Sequence, residues 1–595
     1  MSGILLVQLP LNGTAAFEPT GNTPLAGGIL AAALGLDGSS VLGRDEVDLL
    51  GDRALADVIA ARGPDTVGFT LYSWNAERSA YLASLLRKAL PSARLIAGGP
   101  EVHPDNEWLV SSGAFDVLVS GEGEPAARIL VGDAGIPQGT LISTGFQDFA
   151  PGTWPDPWLS GVIAPGDDGS VMVETVRGCP SGCVYCSYRR RHPVPRVMPA
   201  PEASALVRKL SALGGRELVF IDPTFNARPG FDELLAGLAG LGQRCFAELR
   251  GEGLDDTAAE ALRAAGFETV ELGLQTSDRR ALEICGRPSD PPRVVAAAAM
   301  LGGHGISPVV DIILGLPGDT RNGPVEAARM LADAGAGSRV QAFYLSALPG
   351  TGIRSFAAGY GVSFMDRPPY YVVETPWGGV GELHAAREEI SDILGYDADL
   401  VPRPLLIEGW PGTETVDLDT GRGPGGDPPS FRHGSLRLSS CDLWSHRERI
   451  AALVRRRIEA DPFCVLDVVL EPRGPFPSDL PDWIRCLAPV NDYSSRMAAR
   501  HGLDGNLRVS TLLRDPGAFD RAWLDGLACE CTVVADADSP GALPHELDGL
   551  GIGTRLRGGG WDLAELSGSI DDPLSVFFES ELLEKLWCTI HLGSE

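Results

Sequence analysis

The chain has 595 residues, enough for three or four domains, and 44% of them are hydrophobic. Its 49 Lys and Arg face 79 Asp and Glu, a formal net charge of −30 that repels phosphate backbones and argues against a nucleic-acid partner. No apolar run reaches membrane-spanning length, and the N-terminus lacks the charged region, apolar run and cleavage site of a signal peptide, so the expectation is a cytoplasmic chain with reduced thiols and no membrane partner.

Gly3–Pro10 (GILLVQLP) reads as a buried strand and Leu25–Leu34 as a helix. Asp65–Thr70 (DTVGFT), Ala93–Gly99 (ARLIAGG) and Phe115–Ser120 (FDVLVS) read as further strands, with an amphipathic helix at Ala76–Leu90. This alternation predicts an α/β domain over residues 1–140, built on a parallel, doubly wound, Rossmann-like sheet. Ligands of such sheets sit at the carboxyl ends of the strands. Those ends are LPLNG, FTLYSWN, GGPEVH and SGEGE, where glycines permit a bulky ligand to approach the backbone. The G-x-G-x-x-G turn of a nucleotide-binding sheet does not follow the first strand.

Residues 141–170 are rich in Pro, Gly and Asp and read as a linker. After a strand at Val171–Val176 come Cys179, Cys183 and Cys186 in VRGCPSGCVYCSYRRR, a C-x3-C-x2-C spacing. Three thiolates do not complete a tetrahedral zinc site from this segment, and the zinc alternative needs a fourth ligand from afar. They suffice for three irons of a 4Fe–4S cluster, leaving the fourth iron open to a small molecule. Tyr185, just before the third cysteine, is placed to pack beside such a ligand. The other eight cysteines are scattered and read as small buried apolar residues, with Cys529 and Cys531 expected on one face of a strand.

Strands follow at Glu217–Asp222, Arg244–Leu249, Thr269–Leu274, Val309–Leu314 and Val340–Leu345, separated by helical stretches at Phe231–Leu241, Thr257–Ala265 and Ser277–Ile284. Repeated βα units of this length predict a partial (βα)6 barrel over residues 171–365, with its chemistry at the carboxyl ends of the strands. Glu271, Gly273 and Gln275 alternate along one strand and so share a face. From about residue 366 the pattern changes, and residues 366–595 are expected to form an α+β domain that shapes the substrate site. Gly421–Ser430 reads as an exposed loop, Leu443–Ala460 as a helix, and Phe463–Leu470 and Cys531–Ala535 as strands. Tyr370, Tyr371, Trp377 and Trp410 read either as pocket lining for a planar substrate or as core.

The cysteine run with its flanking βα units resembles the radical S-adenosylmethionine (SAM) enzymes. That resemblance implies a 4Fe–4S cluster on Cys179, Cys183 and Cys186, with Glu248 accepting from the SAM ribose and Arg250 holding its carboxylate. It also places Glu271 and Gln275 in the cofactor site. The family's Gly-Gly-Glu after the second strand is replaced by IDPTFN, so Asp222 or Thr224 is expected to receive the SAM amino group. The strand-end loops of the first domain, in that order and at that distance, resemble the cobalamin-binding domain that precedes many radical SAM domains. The resemblance implies that Thr70, Leu71, Tyr72 and Ser73 lie against the corrin, and that Gly98, Gly99, Gly121 and Glu122 line the groove for its nucleotide tail. No D-x-H-x-x-G occurs, and the loop near Leu11–Thr14 has no histidine, so cobalt without a protein histidine beneath it is expected; His103 reads as a loop or tail contact.

Together these imply a cobalamin-dependent radical SAM C-methyltransferase, moving a methyl from SAM through methylcobalamin to an unreactive carbon, with an external electron donor of the flavodoxin or ferredoxin type. Size and three-part layout resemble the tryptophan 2-C-methyltransferases of thiopeptide antibiotic biosynthesis, which makes C2 of tryptophan the first candidate acceptor among small or peptide-derived substrates. The alternatives are a cobalamin-dependent radical SAM cyclase or rearrangement enzyme and, from another class, a non-catalytic cobalamin-binding regulator.

Overall fold

The first sheet is built from short apolar runs that end at glycine or a small polar residue. In the computed structural model, residues 3–11, 22–132, 136–144, 154–165, 169–188, 194–395, 405–406, 410–423, 425–487, 496, 506–537, 553–556 and 561–562 are described. The chain divides into two compact units, one of Met1–Pro10, Gly21–Arg44 and Ile59–Leu400, the other of Leu11–Thr20, Asp45–Val58 and Val401–Glu595.

In the first unit, β1 (Ile4–Val7), β2 (Thr66–Thr70), β3 (Arg94–Gly98), β4 (Val117–Ser120) and β5 (Thr140–Ser143) form one parallel sheet. Strands buried on both faces need apolar runs rather than alternation, and β1 and β2 are buried along their whole length. The named strands lie in sequential order, and Val41, between β1 and β2 in the chain, bridges Leu6 in parallel on the other edge of β1, which supplies the reversal of a doubly wound sheet. From β1 the chain thus departs first to one edge and then to the other, and such a switch point is where open α/β sheets bind ligands. The helices Leu25–Leu34 and Ala76–Ala89 agree with the sequence expectation to within one residue.

A second sheet in the same unit carries six parallel strands, again in sequential order: β6 (Ser170–Val173), then, after the short antiparallel pair β7 (Val176–Arg177) and β8 (Arg196–Val197), β9 (Glu217–Phe220), β10 (Arg244–Leu249), β11 (Phe267–Gln275), β12 (Ser307–Leu314) and β13 (Val340–Tyr344). Among the described residues β13 does not pair with β6, so this is the expected partial barrel, open on one side. Two of its helices start at side-chain caps: Asp255 accepts from the Ala258 N–H at 2.9 Å, and Asp278 from the Arg280 and Ala281 N–H groups. Phe220, Phe225 and Phe267 meet at ring separations of 4.6–5.8 Å and anchor the core beneath the strand ends. The unit closes with β14 (Ser363–Phe364), β15 (Val372–Thr375), β16 (Gly378–Gly379) and the helix Val380–Leu394.

In the second unit, β17 (Thr413–Asp417), β18 (His433–Ser440), β19 (Val465–Pro472), β20 (Leu507–Leu513), β21 (Thr532–Ala537) and β22 (Gly553–Leu556) form a parallel sheet, with β23 (Trp561–Asp562) antiparallel at its edge. The α+β character expected for residues 366–595 therefore fits the antiparallel β15–β16 pair and its helix, whereas the sheet from Thr413 to Leu556 is a parallel α/β layer. The polar positions of RHGSLRLSS disguise β18, because His433 and Asp467 satisfy each other at 2.7 Å while both are buried. Cys529 and Cys531 do not share a strand. Cys529 caps the helix Arg521–Ala528, and the Cys531 N–H still bonds the Leu527 carbonyl, so the strand begins only at Thr532. Among the described residues no helix is long and apolar enough to cross a membrane.

Truncating the fully buried Phe267 leaves a cavity against Phe220 and Phe225. Phe267→Ala is expected to lower unfolding free energy by about 3–5 kcal/mol, read as a lower urea midpoint with an unchanged slope.

Candidate functional site

The three cysteines sit on a loop whose neck is the β7–β8 pair, with Arg177 and Arg196 directly opposite each other. Asp222 fixes the backbone leading into it. Its fully buried carboxylate accepts from the N–H groups of Thr175 (2.7 Å) and Val176 (2.8 Å) and from the Thr175 hydroxyl. Arg228 stands 3.8 Å away and donates to the same hydroxyl. Burial pushes Asp222 up to about 6 against these hydrogen bonds, which hold it down. Both of its oxygens are committed within the protein, so Asp222 positions the loop; the SAM amino group expected there needs another partner. The Thr224 hydroxyl lies 3.5 Å from Cys179 Sγ, and the Ser181 N–H donates to the same sulfur at 3.4 Å.

Farther along, the Val184 N–H donates to the Cys285 carbonyl (2.9 Å) and the Ile353 N–H to the Val184 carbonyl (3.0 Å). Gly286, at φ 65°, packs so closely that a Cβ there would come within 2.8 Å of the Gly182 carbonyl oxygen. Cys179 and Cys183 are buried and Cys186 is half-buried. Burial, reinforced by Cys183 and Cys179, pushes the Cys186 thiol up to about 11, although the Tyr188 N–H opposes the shift. A thiol so reluctant to ionise would give up its proton on binding iron. Among the described residues no three His, Cys, Asp or Glu side chains form a group suited to a single metal ion, whereas the thiolates of a cubane cluster each take a different iron.

Beside the loop, the barrel mouth gathers carboxylates. Glu248 ends β10 opposite Glu271 on β11, and Gly273 pairs with Asp311 on β12. The register then slips, and Gln275 adopts a left-handed φ of 71°, an irregularity that re-aims a side chain at a functional edge. Arg287 Nη2 donates to the Gly273 carbonyl at 2.7 Å, and Arg287 Nη1 lies 3.9 Å from Cys183 Sγ. Burial first, then Glu271, lifts Glu248 to about 7, with Arg287 opposing. Burial and then Glu271 hold Asp311 far above the usual carboxylate range. Asp311 Oδ1, Gln275 Oε1, Arg287 Nε and the Tyr185 hydroxyl are buried without a hydrogen-bond partner. Such unmet groups around one strand edge call for a ligand. Three acidic groups around one guanidinium suit a cationic one, so the donor set fits the sulfonium and ammonium of SAM.

Arg287 and Asp311 were missed by sequence reasoning; the one signal was a carboxylate inside the apolar run VVDIIL. Arg250, expected at the SAM carboxylate, instead donates to Ser181 Oγ (3.1 Å), Glu252 (3.1 Å) and the Pro288 carbonyl (2.7 Å), bracing the cysteine loop.

On the first sheet, Asn75 organises the FTLYSWN loop. Its fully buried amide donates to the Leu9 and Thr70 carbonyls and accepts from the Tyr72 N–H. Tyr72 stacks on the exposed Trp74 with ring centroids 4.4 Å apart, leaving a flat aromatic rim. Leu71 is fully buried in protein, so its side chain does not reach a corrin; its backbone packs instead on Gly99, where a Cβ would come 2.6 Å from the Leu71 carbonyl oxygen. Thr70 is buried, and Ser73 and Gly98 are half-buried at the strand ends. Gly99 (φ 104°) and Gly121 (φ 107°) adopt backbone that glycine alone takes easily. These glycine-lined ends and the aromatic rim fit a planar corrin and its tail. Glu122 does not line an open groove: it is buried and pairs with Arg196. His103 bonds Asp105 at 2.7 Å and packs on Gly350, while Asp105 accepts from the Gly350 N–H. Residues 12–14 of the histidine-free loop lie outside the described residues.

Tyr370 is core rather than pocket lining, donating to Glu101 at 2.6 Å and accepting from Trp108 at 2.7 Å. Trp410 is likewise buried, in the second unit, where it donates to the His433 carbonyl. Trp377 and Tyr371 pack partly buried against the barrel core. A cavity of about 470 Å³ among Leu25, Trp154, Trp158, Met172 and Met198 touches none of the cysteines or mouth carboxylates.

Residues 173–331 match the radical SAM superfamily, and residues 23–131 match the B12 binding domain. These two segments make a 4Fe–4S cluster, SAM and cobalamin the cofactors of this chain. An uncharacterized methyltransferase of Pyrococcus horikoshii is 27% identical over 303 residues, covering 45% of this chain and 64% of that protein. The 2-(S-pantetheinyl)-carbapenam-3-carboxylate methyltransferase of Streptantibioticus cattleyicolor is 30% identical over 198 residues, 28% of each chain. The chain thus spans less than two thirds of the length of these curated relatives. Among solved structures, the radical SAM methyltransferase TsrM from Kitasatospora setae, bound to tryptophan substrate and a SAM analogue, is similar in fold, with a TM-score of 0.51 at 17% identity over 66% of this chain and 89% of that one.

The raised Asp311 has a signed consequence. Between the ordinary carboxylate range and its folded value, the unfolded chain is ionised while the folded chain keeps the proton, so this group lowers stability progressively as pH rises through that window. In cofactor-free protein, Asp311→Asn is expected to gain stability relative to wild type between about pH 5 and about pH 8, by urea unfolding. The same variant is expected to bind SAM about tenfold more weakly by equilibrium dialysis.

Proposed function

We propose that this chain is a cobalamin-dependent radical SAM C-methyltransferase acting on a small or peptide-derived substrate, with C2 of tryptophan as first candidate acceptor. The observation that carries the reading is the joining of the two cofactor loops in one compact unit. Arg177 beside the cysteines pairs with Glu124 at 2.8 Å, and Arg196 pairs with Glu122. A corrin seated on the first sheet would therefore face the cysteine loop. When bound, the cofactors supply a transferable methyl group and single electrons, while the chain's own residues orient them and exclude water.

In this reading Cys179, Cys183 and Cys186 hold the cluster, and Glu248, Glu271, Gln275, Asp311 and Arg287 clasp SAM. Thr70, Tyr72, Ser73, Gly98, Gly99 and Gly121 receive the corrin and its tail. Tyr185 and Thr224 flank the cluster. Residues 1–140 form the cobalamin domain, residues 171–365 the radical SAM domain after a 141–170 linker, and residues 366–595 shape the substrate site. An external flavodoxin- or ferredoxin-type donor in the cytoplasm supplies electrons, and no protein histidine lies beneath cobalt. An indole is flat and apolar, which favours a dry, aromatic-walled acceptor site. Support for methyl transfer also comes from the two curated relatives described above, which carry methyltransferase names.

The test is anaerobic incubation of reconstituted protein with reductant, cobalamin, methyl-deuterated SAM and tryptophan. The expected result is a tryptophan heavier by one labelled methyl, with S-adenosylhomocysteine formed alongside. If S-adenosylhomocysteine forms only with another acceptor, tryptophan falls and the class stands. If SAM yields 5′-deoxyadenosine and no methyl moves with any acceptor, the cyclase or rearrangement reading replaces methyl transfer; if SAM is untouched, the regulator reading does.

A further inference from the structure

We infer that the ion pairs between the GEGE loop and the neck of the cysteine loop couple cobalamin binding to SAM binding at the cluster, so that each cofactor tightens the other. The inference rests on the cofactor assignment above and adds a physical link between the two sites. The neck is a ribbon of two residues per strand, too short to be stable alone. It also sets Arg177 directly opposite Arg196, and like charges so placed destabilise a strand pair.

The chain balances this with carboxylates, two of them from the cobalamin domain. Glu124 takes Arg177 at 2.8 Å, Glu122 pairs with Arg196 and stands 3.9 Å from Arg177, and Glu174 holds Arg177 at 2.7 Å. The Arg177 side chain is 8% exposed, Glu122 2% and Glu124 8%, so water screens the network little. The Arg177 guanidinium also lies over the Trp154 ring, 5.1 Å from its centroid, which fixes it on its remaining side.

Both ends of the network adjoin a cofactor site. Glu122 directly follows Gly121, whose left-handed backbone at the end of β4 packs on Thr144, just past β5, where a corrinoid's nucleotide tail is expected. Arg177 is two residues before Cys179, so a shift of the neck moves the first cluster ligand. A ligand that settles the backbone at Gly121 thereby settles Glu122 and the neck, and linkage makes the effect reciprocal.

The experiment measures the SAM dissociation constant of cluster-loaded protein by equilibrium dialysis without reductant, with and without saturating cobalamin. It also measures cobalamin affinity by absorbance, with and without SAM. Wild type is expected to show the same ratio in both directions, about fivefold or more. In Glu122→Gln and Glu124→Gln, iron content is expected to be unchanged while both ratios fall close to one. The double variant Glu122→Met/Arg196→Met replaces the ion pair by apolar contact and guards against simple misfolding. It is expected to keep the cluster and bind both cofactors, again without coupling. A wild-type ratio of one, or full coupling retained in Glu122→Gln, overturns the inference while the cofactor assignment stands. Wild-type protein that binds no cobalamin overturns both.

Discussion

One buried carboxylate, Asp222, sets where the cysteine loop begins, and the site depends on it. Two backbone N–H groups and a hydroxyl converge on it, with Arg228 close behind. All of these groups are buried, so no water is available to take their place. Breaking such a pair leaves an uncompensated charge and costs about 3–5 kcal/mol, far more than an exposed ion pair contributes. The protein thereby fixes the loop before any iron arrives. Arg250 on Ser181, the Thr224 hydroxyl beside Cys179 and the close fit of Gly286 on Gly182 complete the brace.

Polar satisfaction separates bracing residues from those that await a ligand. Asp222, Arg250, Glu122 and Asn75 find their partners inside the protein. Asp311, Gln275, Arg287 and Tyr185 each keep a buried atom unmet. Burying three carboxylates near one guanidinium is unfavourable, and Glu248 and Asp311 are raised accordingly. A cationic ligand reverses the sign of that cost. The left-handed Gln275 fits the same account, since strained backbone is retained where it aims a functional group.

Much of this was legible in the sequence. The helix Leu25–Leu34 and the strand Arg244–Leu249 fall where their apolar patterns end, because local pattern and tertiary burial agree there. The cysteine spacing was legible because iron ligation imposes it. The parallel sheet of the second unit was hidden by polar residues that satisfy one another across strands, His433 with Asp467 above all. Arg287 and Asp311 lie far apart in sequence and meet only through the β11–β12 register, and Glu122 looked like groove lining until Arg196 appeared beside it. Tyr370 resembled a pocket aromatic for the same reason, its partners Glu101 and Trp108 being more than 250 residues away.

The central claim is that three thiolates of one loop hold a 4Fe–4S cluster beside a cobalamin sheet. The most direct measurement is iron and acid-labile sulfide per chain after anaerobic reconstitution, for wild type and for Cys179→Ala/Cys183→Ala/Cys186→Ala, with cobalamin binding followed by absorbance on both. The account predicts about four irons per wild-type chain and essentially none in the triple variant, which still binds cobalamin. A triple variant that retains a full cluster would contradict it.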